Sequence, residues 1–492
     1  MSTVANVKNM RLKFPGVDSL LFKDFSLSLK KGEKVLILGP SGSGKSTLLQ
    51  VLTGLIPHAV EVPMKTDEIN IPDSWGYLFQ DPDSQFCMPF VDEEIAFVLE
   101  NLQIPKEEMN RYIHHYLHQV GLAFKNPHTK IQTLSGGMKQ RLAIASVLAL
   151  EPEVLFLDEP TAMLDSEGTK QVWDTIKQVG EDKTVVIVEH KIEEVVDFVD
   201  RVVLLDEQGV IIADGSKDDV FASYKQVLLE HGIWYPGVWR DYLNSKPPSP
   251  SPSPVSINPS VHLSDFSVYR GKSVKLHIPQ ANAYPGDWVT IIGENGAGKS
   301  TLLLAMMNLL KTKGTCHFLG QDYKRIKNFA DHVAFVFQNP EFQFVTNSVY
   351  EEAAYSLRLD HWTEEQISPR VNQLLKTYHL ENHTHIHPYQ LSIGQKRRLS
   401  VAASIIKEQS IILLDEPTFG QDAKNTFAIL EQLEQLRRQG KTIIMVTHDR
   451  NIVEYFSTKV WSIHDGKLAN DSSTGEYLES NNHVTGEISY VH

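Results

Sequence analysis

The chain has 492 residues, more than one hydrophobic core usually supports, so we expect more than one domain. Its composition, 41% hydrophobic and 22% charged, is that of a globular protein rather than a disordered one. The presence of only two cysteines argues against a disulfide scaffold and a cysteine-ligated zinc site, and a net charge of −14 argues against broad electrostatic binding to nucleic acid. No apolar stretch is long enough to span a bilayer, so we expect any role at a membrane to depend on another protein.

The first strong signal is a glycine-rich loop between a predicted strand and a predicted helix. The apolar run Val35–Leu38 favours a buried strand, and the residues from Thr47 to Leu52 favour a helix. The loop fits the phosphate-binding pattern G-x-x-x-x-G-K-S, in which backbone N–H groups and a helix N-terminus surround phosphate oxygens. We predict that Lys45 contacts the β- and γ-phosphates of a nucleotide and that Ser46 binds Mg²⁺. The predicted nucleotide-binding residues here are Gly39, Pro40, Ser41, Gly42, Ser43, Gly44, Lys45, Ser46 and Thr47.

A second loop of the same pattern indicates that the chain is duplicated. Its lysine, Lys299, lies 299 − 45 = 254 positions after Lys45, and a repeat as long as a domain indicates tandem duplication. A segment of alternating proline and serine separates the copies and favours an extended spacer. We therefore predict domains at 1–245 and 259–492, joined by a linker at 246–258. The predicted nucleotide-binding residues of the second loop are Gly293, Glu294, Asn295, Gly296, Ala297, Gly298, Lys299, Ser300 and Thr301.

An aromatic residue stands upstream of each loop. Phe14 and Tyr269 lie in predicted β-rich sections, where an aromatic ring can stack on an adenine base. Position alone does not separate this role from that of an ordinary strand residue, so both interpretations stay open.

Three further features recur in both halves, each a polar group at the end of a predicted strand. They are a glutamine suited to contact both Mg²⁺ and the attacking water, a pair of carboxylates, and a histidine. In each pair we predict that the aspartate holds Mg²⁺ through its water and that the glutamate polarises the attacking water, while the histidine contacts the γ-phosphate. Because ligands bind at the carboxyl ends of strands in open α/β sheets, we expect these groups to converge. The residues are Gln80, Asp158, Glu159 and His190 in the first half and Gln338, Asp415, Glu416 and His448 in the second, with Asp165 and Asp422 soon after the carboxylates.

A Leu-Ser-Gly-Gly motif begins a predicted helix in the first half, and a variant of it occurs in the second. Ser135 is a predicted N-cap, because apolar residues follow it with helical spacing. A hydroxyl and glycine N–H groups at a helix start form an anion site, so we predict contact with phosphate. The predicted contact residues are Ser135, Gly137, Ser392 and Gly394.

Two features have alternative interpretations. The stretches 86–150 and 344–406 show helical spacing with acidic neighbours, which fits either core packing with a solvated face or a surface that docks a partner. Four aromatic residues just before the linker pack either on their own domain or between the halves. They are Trp234, Tyr235, Trp239 and Tyr242.

The order of these motifs resembles that of the ATP-binding-cassette ATPases over nearly the whole chain. The signature Leu134-Ser135-Gly136-Gly137 makes this match far more specific than the phosphate loop alone. The resemblance implies an α/β fold with two tandem RecA-like P-loop NTPase domains, each with an antiparallel β section and a helical subdomain. It also implies ATP and Mg²⁺ as cofactors and ATP hydrolysis coupled to transmembrane transport as the activity.

The residues after each glutamine narrow the resemblance. Asp81–Phe86, Asn339–Phe344 and Phe97–Asn101 are similar to segments in the ATPases of energy-coupling-factor (ECF) importers. Such an ATPase docks on a membrane T-component, and a separate S-component binds the substrate, which places it at the cytoplasmic face of the cell membrane. The tandem fusion is similar to the type assigned to hydroxymethylpyrimidine/thiamine uptake. Cobalt or nickel ions or another vitamin are the alternative substrates.

In this family the two halves pair head to tail, and each ATP lies between the phosphate loop of one half and the signature of the other. The first site would then join its loop to Ser392 and Gly394, and the second site would join its loop to Ser135 and Gly137. Ile393 departs from the pattern, in which glycine is usual. If that glycine requires a left-handed backbone, isoleucine costs ~1–2 kcal/mol, so we expect the first site to be weaker while both hydrolyse ATP.

A soluble tandem ATPase that acts on ribosomes or DNA is the alternative function. The acidic composition, the short Pro/Ser spacer and the segments after each glutamine argue against it, and we expect no nucleic-acid partner. Glu159 and Glu416 argue against a third class, a scaffold that does not hydrolyse ATP.

Overall fold

The fold consists of two compact units. The computed structural model describes residues 2–16, 19–40, 42–162, 164, 166–245 and 258–482. The units are Met1–Val238 with Asp422–Lys424, and Trp239–Gln421 with Asn425–His492. Ser41, Asp165 and all of the predicted linker except its last residue, Asn258, lie outside the described residues.

The first unit contains two β-sheets. Strands β1, β2, β4 and β5 form an antiparallel sheet in which β1 is central. The other sheet has the order β10-β9-β3-β8-β7-β6, with all neighbours parallel except the antiparallel pair β9 and β10. The strands are β1 Thr3–Leu12, β2 Phe22–Lys30, β3 Lys34–Leu38, β4 Met64–Lys65, β5 Glu68–Asn70, β6 Trp75–Leu78, β7 Val154–Asp158, β8 Thr184–Val188, β9 Arg201–Leu205 and β10 Ile211–Ser216.

The second unit repeats this architecture in one ten-stranded sheet. Its order is β15-β14-β11-β12-β20-β19-β13-β18-β17-β16, and the antiparallel part joins the rest where β12 meets β20. Strands β19, β13, β18, β17 and β16 are parallel to one another. The strands are β11 Val261–Arg270, β12 Ser273–Ala283, β13 Trp288–Ile292, β14 Lys311–Phe318, β15 Gln321–Asp322, β16 Val333–Val336, β17 Ile411–Asp415, β18 Thr442–Val446, β19 Lys459–His464 and β20 Lys467–Ser473.

Helices follow the strands of each parallel section and form a helical section in each half. The helical sections are α3 to α5 and α11 to α13, within the stretches that the sequence marks as helical. The helices are α1 Lys45–Leu52, α2 Leu55–His58, α3 Val91–Asn101, α4 Lys106–Gln119, α5 Gly136–Leu148, α6 Ser166–Gly180, α7 Lys217–Ser223, α8 Lys225–Glu230, α9 Val238–Ser245, α10 Lys299–Met306, α11 Val349–Leu359, α12 Glu364–Thr377, α13 Ile393–Ile405, α14 Ala423–Arg438, α15 Arg450–Phe456 and α16 Thr474–Asn482.

The parallel strands that carry the predicted site residues are buried along their whole length. Every residue of β7, β8, β17 and β18 is buried, which explains their unbroken apolar runs. Leu48 and Leu49 of α1 pack into the core of the first unit, and Leu302 and Leu303 of α10 pack into that of the second. This packing fixes the helix that follows each phosphate loop against the sheet.

Two aromatic residues of α9 contact Phe427 of the second unit, although this helix precedes the predicted linker. The ring of Trp239 meets that of Phe427 edge-on at 5.0 Å, and the ring of Tyr242 stacks on Phe427 at 4.0 Å between centroids. Composition alone does not show which apolar surface covers such a helix. The domain limits inferred from the sequence stay a prediction. No helix in the described part of the chain is both long and apolar enough to cross a lipid bilayer.

Candidate functional site

The two phosphate loops have the same local geometry. Each loop lies between a central parallel strand and a helix, and the glycine before the lysine has a left-handed backbone, with φ of 91° at Gly44 and 109° at Gly298. Lys45 Nζ donates hydrogen bonds to the carbonyls of Gly39 at 2.7 Å and Pro40 at 3.0 Å. Burial lowers the pKa of Lys45, and nearby carboxylates oppose this effect. The loop therefore holds a buried ammonium group beside the backbone N–H groups of a helix start.

The second loop repeats this lysine arrangement. Lys299 Nζ donates to the carbonyls of Gly293 at 2.8 Å and Glu294 at 2.9 Å. Lys45 and Lys299 are each 6% exposed. The duplicated sequence therefore gives the same ammonium position in both halves.

An aspartate at the end of β7 lies against the hydroxyl that follows the first lysine. Ser46 Oγ donates to Asp158 Oδ1 at 2.8 Å, and Tyr77 donates its phenolic hydrogen to Asp158 Oδ2 at 2.9 Å. Burial raises the pKa of Asp158, while the bonds from Ser46 and Tyr77 oppose this effect. A serine hydroxyl and a carboxylate at this separation fit the oxygen ligands that Mg²⁺ prefers.

The corresponding aspartate in the second half has fewer donors. Ser300 Oγ donates to Asp415 Oδ1 at 3.1 Å, but Phe335 occupies the place of Tyr77 and has no hydroxyl. Burial raises the pKa of Asp415 to about 6. The two predicted Mg²⁺ positions therefore differ in the hydrogen bond from the tyrosine hydroxyl to the aspartate. The repeated motifs do not predict this difference, because the tyrosine is not part of them.

We expect Tyr77→Phe to destabilise the first unit by about 1.5–3 kcal/mol, because it removes a hydrogen bond to a buried carboxylate. Denaturant unfolding of the full-length chain measures the change. Tyr116→Phe is the matched control, since Tyr116 is equally buried but its contact with Glu151 is 3.5 Å long. Equal losses in the two variants would show that the bond to Asp158 contributes nothing of its own.

The first predicted catalytic glutamate is held through both carboxylate oxygens. Gln80 Nε2 donates to Glu159 Oε2 at 2.8 Å, and His190 Nε2 lies 3.0 Å from Glu159 Oε1. Burial alone would raise the pKa of Glu159, but His190 and Lys45 outweigh it, and the net pKa is below the ordinary value. The three sequence motifs therefore converge around an ionised carboxylate, which can polarise a water molecule.

The second glutamate is held less closely. His448 Nε2 lies 3.3 Å from Glu416 Oε1, and within the described residues no hydrogen bond joins Gln338 to Glu416. Both glutamates have left-handed backbones, with φ of 47° at Glu159 and 50° at Glu416. This unusual conformation sets the direction of each carboxylate as the chain leaves the strand.

Both signature serines cap their helices, as the sequence predicts for Ser135. Ser135 Oγ accepts a hydrogen bond from the N–H of Met138, and Ser392 Oγ accepts one from the N–H of Gln395, each at 3.3 Å. Gln395 completes a capping box in the second half. Each serine with the following residues thus forms a helix start with its N–H groups directed outward.

The expected backbone cost at Ile393 is wrong. Ile393 is the first residue of α13, and neither it nor Gly136 at the matching place in α5 has a positive φ. Glycine there needs no left-handed backbone, so isoleucine adds no strain of that kind. The side chain of Ile393 is instead 58% exposed, so Ile393 itself can affect its site only through its bulk at the helix start.

The two aromatic residues proposed for adenine stacking differ in their surroundings. Phe14 lies just after β1 and is 37% exposed, whereas Tyr269 lies within β11 and is half-buried. Lys313 Nζ lies 5.6 Å from the centre of the Tyr269 ring. Both assignments stay predictions.

Sequence analysis missed three buried polar residues beside these motifs. They are Tyr77, Glu189 and Arg397. Arg397 lies on α13 and is 5% exposed, and its Nε and Nη1 have no hydrogen-bond partner among the described residues. Burial lowers the pKa of Arg397, and Asp415 and Glu416 oppose this effect. A comparison of the two halves could have singled out these residues, because each differs from its counterpart in the other half. Phe335 matches Tyr77, Thr447 matches Glu189 and Gln140 matches Arg397.

Glu189 makes the stability of the chain depend on pH. It follows β8, is 3% exposed, and burial raises its pKa to about 7. The folded chain keeps this proton where the unfolded chain has lost it, so the stabilisation is complete below pH 4.5 and disappears as the pH rises through about 7. We expect the stability of the parent, relative to Glu189→Gln, to fall by up to about 3 kcal/mol across this window. Thermal unfolding at pH 5 and pH 8 tests this, and an equal difference at both values would contradict it.

The family comparison covers both sites. The family model described as ABC transporter matches residues 22–162 and 276–419, which include both phosphate loops and both carboxylate pairs. The chain belongs to this family. The predicted fold class is thereby confirmed, and so is the prediction of an ATPase: this is an ABC ATPase with two ATP-binding P-loop NTPase domains.

Relatives of this ABC ATPase span both halves. It is 35% identical over 512 residues to the "Putative HMP/thiamine import ATP-binding protein YkoD" of Bacillus subtilis, which covers 96% of this chain and 91% of the relative. It is 31% identical over 538 residues to a "Putative ABC transporter ATP-binding protein" of Methanosarcina acetivorans, which covers 97% of this chain and 87% of the relative. Among solved structures, "RNase-L Inhibitor" matches with a TM-score of 0.65 over 97% of this chain and 93% of that chain, at 20% identity. This last likeness shows the fold alone.

Proposed function

We propose that this ABC ATPase energises a membrane importer of the ECF type that takes up hydroxymethylpyrimidine/thiamine. The observation that carries the proposal is the 35% identity, over 96% of this chain, to a protein named for HMP/thiamine import. The partners in this proposal are a membrane T-component and a substrate-binding S-component. Its place is the cytoplasmic face of the cell membrane.

Exposed apolar side chains beside the second glutamine support a docking role. Phe342 and Val345 follow Gln338 closely, and their side chains are 75% and 64% exposed. Tyr355 and Leu359, one turn apart on α11, are exposed as well. The resembled ECF ATPases receive the coupling helices of the T-component after this glutamine, so we assign the same contact to these residues.

An ion pair joins each segment after the glutamine to the signature helix of its own half. Lys139 Nζ on α5 lies 2.7 Å from Asp83, and Lys396 Nζ on α13 lies 2.5 Å from Glu341. A partner that displaces the short segment therefore pulls on the helix whose N-terminus is proposed to contact phosphate. This connection gives a physical route from ATP hydrolysis to movement of the membrane partner.

The proposed hydrolysis depends on position and charge rather than on a covalent intermediate. Lys45 contacts the phosphates, and Glu159, held by Gln80 and His190, orients and polarises the attacking water. Ser46 and Asp158 hold Mg²⁺, which neutralises phosphate charge when bound. Lys299, Ser300, Gln338, Asp415, Glu416 and His448 have the same roles in the second half. The signature of the other half completes each site in this proposal, as the resemblance implies.

The test is to purify the tagged full-length chain from detergent-solubilised membranes of its own host. We expect two integral membrane proteins to copurify, and we expect uptake of labelled hydroxymethylpyrimidine or thiamine to stop in the double variant Glu159→Gln/Glu416→Gln. Glu167→Gln is a matched control, because Glu167 is exposed on α6 and accepts a hydrogen bond from Gln171, one turn later in the same helix.

Copurification with ribosomes or DNA instead of membrane proteins would overturn the proposal in favour of the soluble alternative. Membrane partners that import cobalt or nickel ions, or another vitamin, would contradict the proposed substrate but would support the role in an importer. Phe342→Ser and Val345→Cys, which copy Ser84 and Cys87 of the first half, should weaken copurification of the T-component without changing ATP binding.

A further inference from the structure

A buried carboxyl group joins the loops that carry the glutamate and the histidine of the first site. Glu189 Oε2 accepts a hydrogen bond of 2.8 Å from Thr161 Oγ1, and Glu189 Oε1 accepts one of 2.9 Å from the N–H of His190. Thr161 stands two residues after Glu159 in the chain. The side chain of Glu189 therefore spans from the end of β8 to the segment that leaves β7.

Both ends of this bridge are inaccessible to water. Glu189 is 3% exposed and Thr161 is 6% exposed, so neither partner can exchange its bond for one with solvent. A buried hydrogen bond of this kind holds its partners in one arrangement, because breaking it leaves polar atoms without partners. His190 Nε2 and Gln80 Nε2 then reach the two oxygens of Glu159 from the positions already given.

No such bridge occurs among the described residues of the second half. Thr447 occupies the position of Glu189, and its hydroxyl oxygen accepts a hydrogen bond of 3.1 Å from the N–H of Asp449, two residues later. This local bond does not reach the segment after β17. The longer contact between His448 and Glu416 agrees with the absence of such a bridge among the described residues.

We propose that Glu189 is a positioning residue of the first ATP site, which fixes His190 and Glu159 relative to each other through Thr161. The inference rests on the ATPase activity and not on the proposed role in import. Glu189 acts on the rate of hydrolysis and not on the binding of ATP, because its hydrogen bonds among the described residues go to Thr161 and His190 and not to the phosphate loop or Ser46. The two sites of the chain therefore differ in how rigidly their catalytic groups are held.

The experiment measures kcat and KM for ATP in the full-length chain, in two backgrounds. In the unmodified chain, Glu189→Ala should lower kcat to about half or less, because one of two sites is lost. In a chain carrying Glu416→Gln, where only the first catalytic glutamate remains, kcat should fall by about tenfold or more. KM should stay within about twofold in both backgrounds, since the phosphate loop is unchanged.

Three further variants separate positioning from general damage to the fold. Glu189→Gln should recover most of kcat, because its amide can bond to both the Thr161 hydroxyl and the His190 N–H. Thr161→Val, which has the same shape without the hydroxyl, should lower kcat in the same direction as Glu189→Ala. Thr447→Ala in a chain carrying Glu159→Gln should change kcat by less than about twofold, because its bond is local.

If Glu189→Ala leaves kcat unchanged in both backgrounds, the inference is wrong. A rise in KM at constant kcat, a failure of Glu189→Gln to recover activity, or an equal loss in Thr447→Ala would also contradict it. If the background with Glu416→Gln is inactive, the unmodified chain decides between these outcomes. If no membrane protein copurifies with the chain, the proposed role in import is contradicted, but the inference about Glu189 is not affected.

Discussion

Glu159→Gln and Glu416→Gln are each expected to stop ATP hydrolysis in their own half while leaving ATP binding intact. Each glutamate directly follows a buried parallel strand and lies 3.0 or 3.3 Å from a histidine. An amide has the shape of the carboxylate but cannot take up a proton from water, and a positioned general base contributes about 10²–10⁴-fold to the rate. The double variant should therefore lose turnover by about 10²-fold or more. Steady-state ATPase assays on the full-length chain, with nucleotide binding measured in parallel, test this expectation.

The single variants also test whether both halves hydrolyse ATP. We expect each single variant to retain part of the activity, because the other half keeps its catalytic glutamate. Complete loss from one single variant and none from the other would contradict hydrolysis in both halves. Glu167→Gln, on the exposed face of α6, should keep the parental rate.

Lys45→Ala and Lys299→Ala are expected to weaken ATP binding at their own loops by about 10²-fold, or about 3 kcal/mol per site. Lys45 and Lys299 are each 6% exposed, and the ammonium group of each bonds to two carbonyl oxygens of its own loop. When a phosphate replaces those carbonyls, the buried ammonium group donates a hydrogen bond to a charged oxygen. Such a bond is stronger than one between neutral groups. Equilibrium titration with a fluorescent ATP analogue measures both sites.

Lys183→Ala is the matched control for these lysines. Lys183 Nζ also donates to a backbone carbonyl, that of Pro152 at 2.8 Å, but neither residue belongs to the predicted site. We expect the Lys183→Ala variant to bind ATP with the affinity of the unmodified chain. Equal losses in Lys183→Ala and Lys45→Ala would show that the effect comes from damage to the unit and not from phosphate contact.

The structure changes the physical basis of the asymmetry between the sites. Sequence reasoning assigned it to backbone strain at Ile393, but that residue has an ordinary helical backbone. The observed differences lie elsewhere, in the hydroxyl of Tyr77 on Asp158 and in the bridge through Glu189. Ile393→Gly therefore tests only the bulk of an exposed side chain.

Local motifs were sufficient to place the site residues on their elements. Both phosphate loops lie between a strand and a helix, both signature serines cap helices, and both carboxylate pairs end buried strands. Each of these features depends on residues close together in the chain, through backbone conformation, capping or unbroken apolar character. Duplication strengthened the prediction, because each motif occurs twice in the same order.

The sequence by itself thus determined the tandem α/β fold, the order of the motifs and the chemistry of the residues at the strand ends. Only the tertiary structure decided which of those residues meet, such as Ser46 with Asp158, which are 112 positions apart. It also decided that Glu189 reaches Thr161 and that α9 packs on Phe427. The reason is physical: such contacts depend on the register of β6, β7 and β8 and on which apolar surface covers a helix. Residues distant in the chain set both, and no local pattern specifies them.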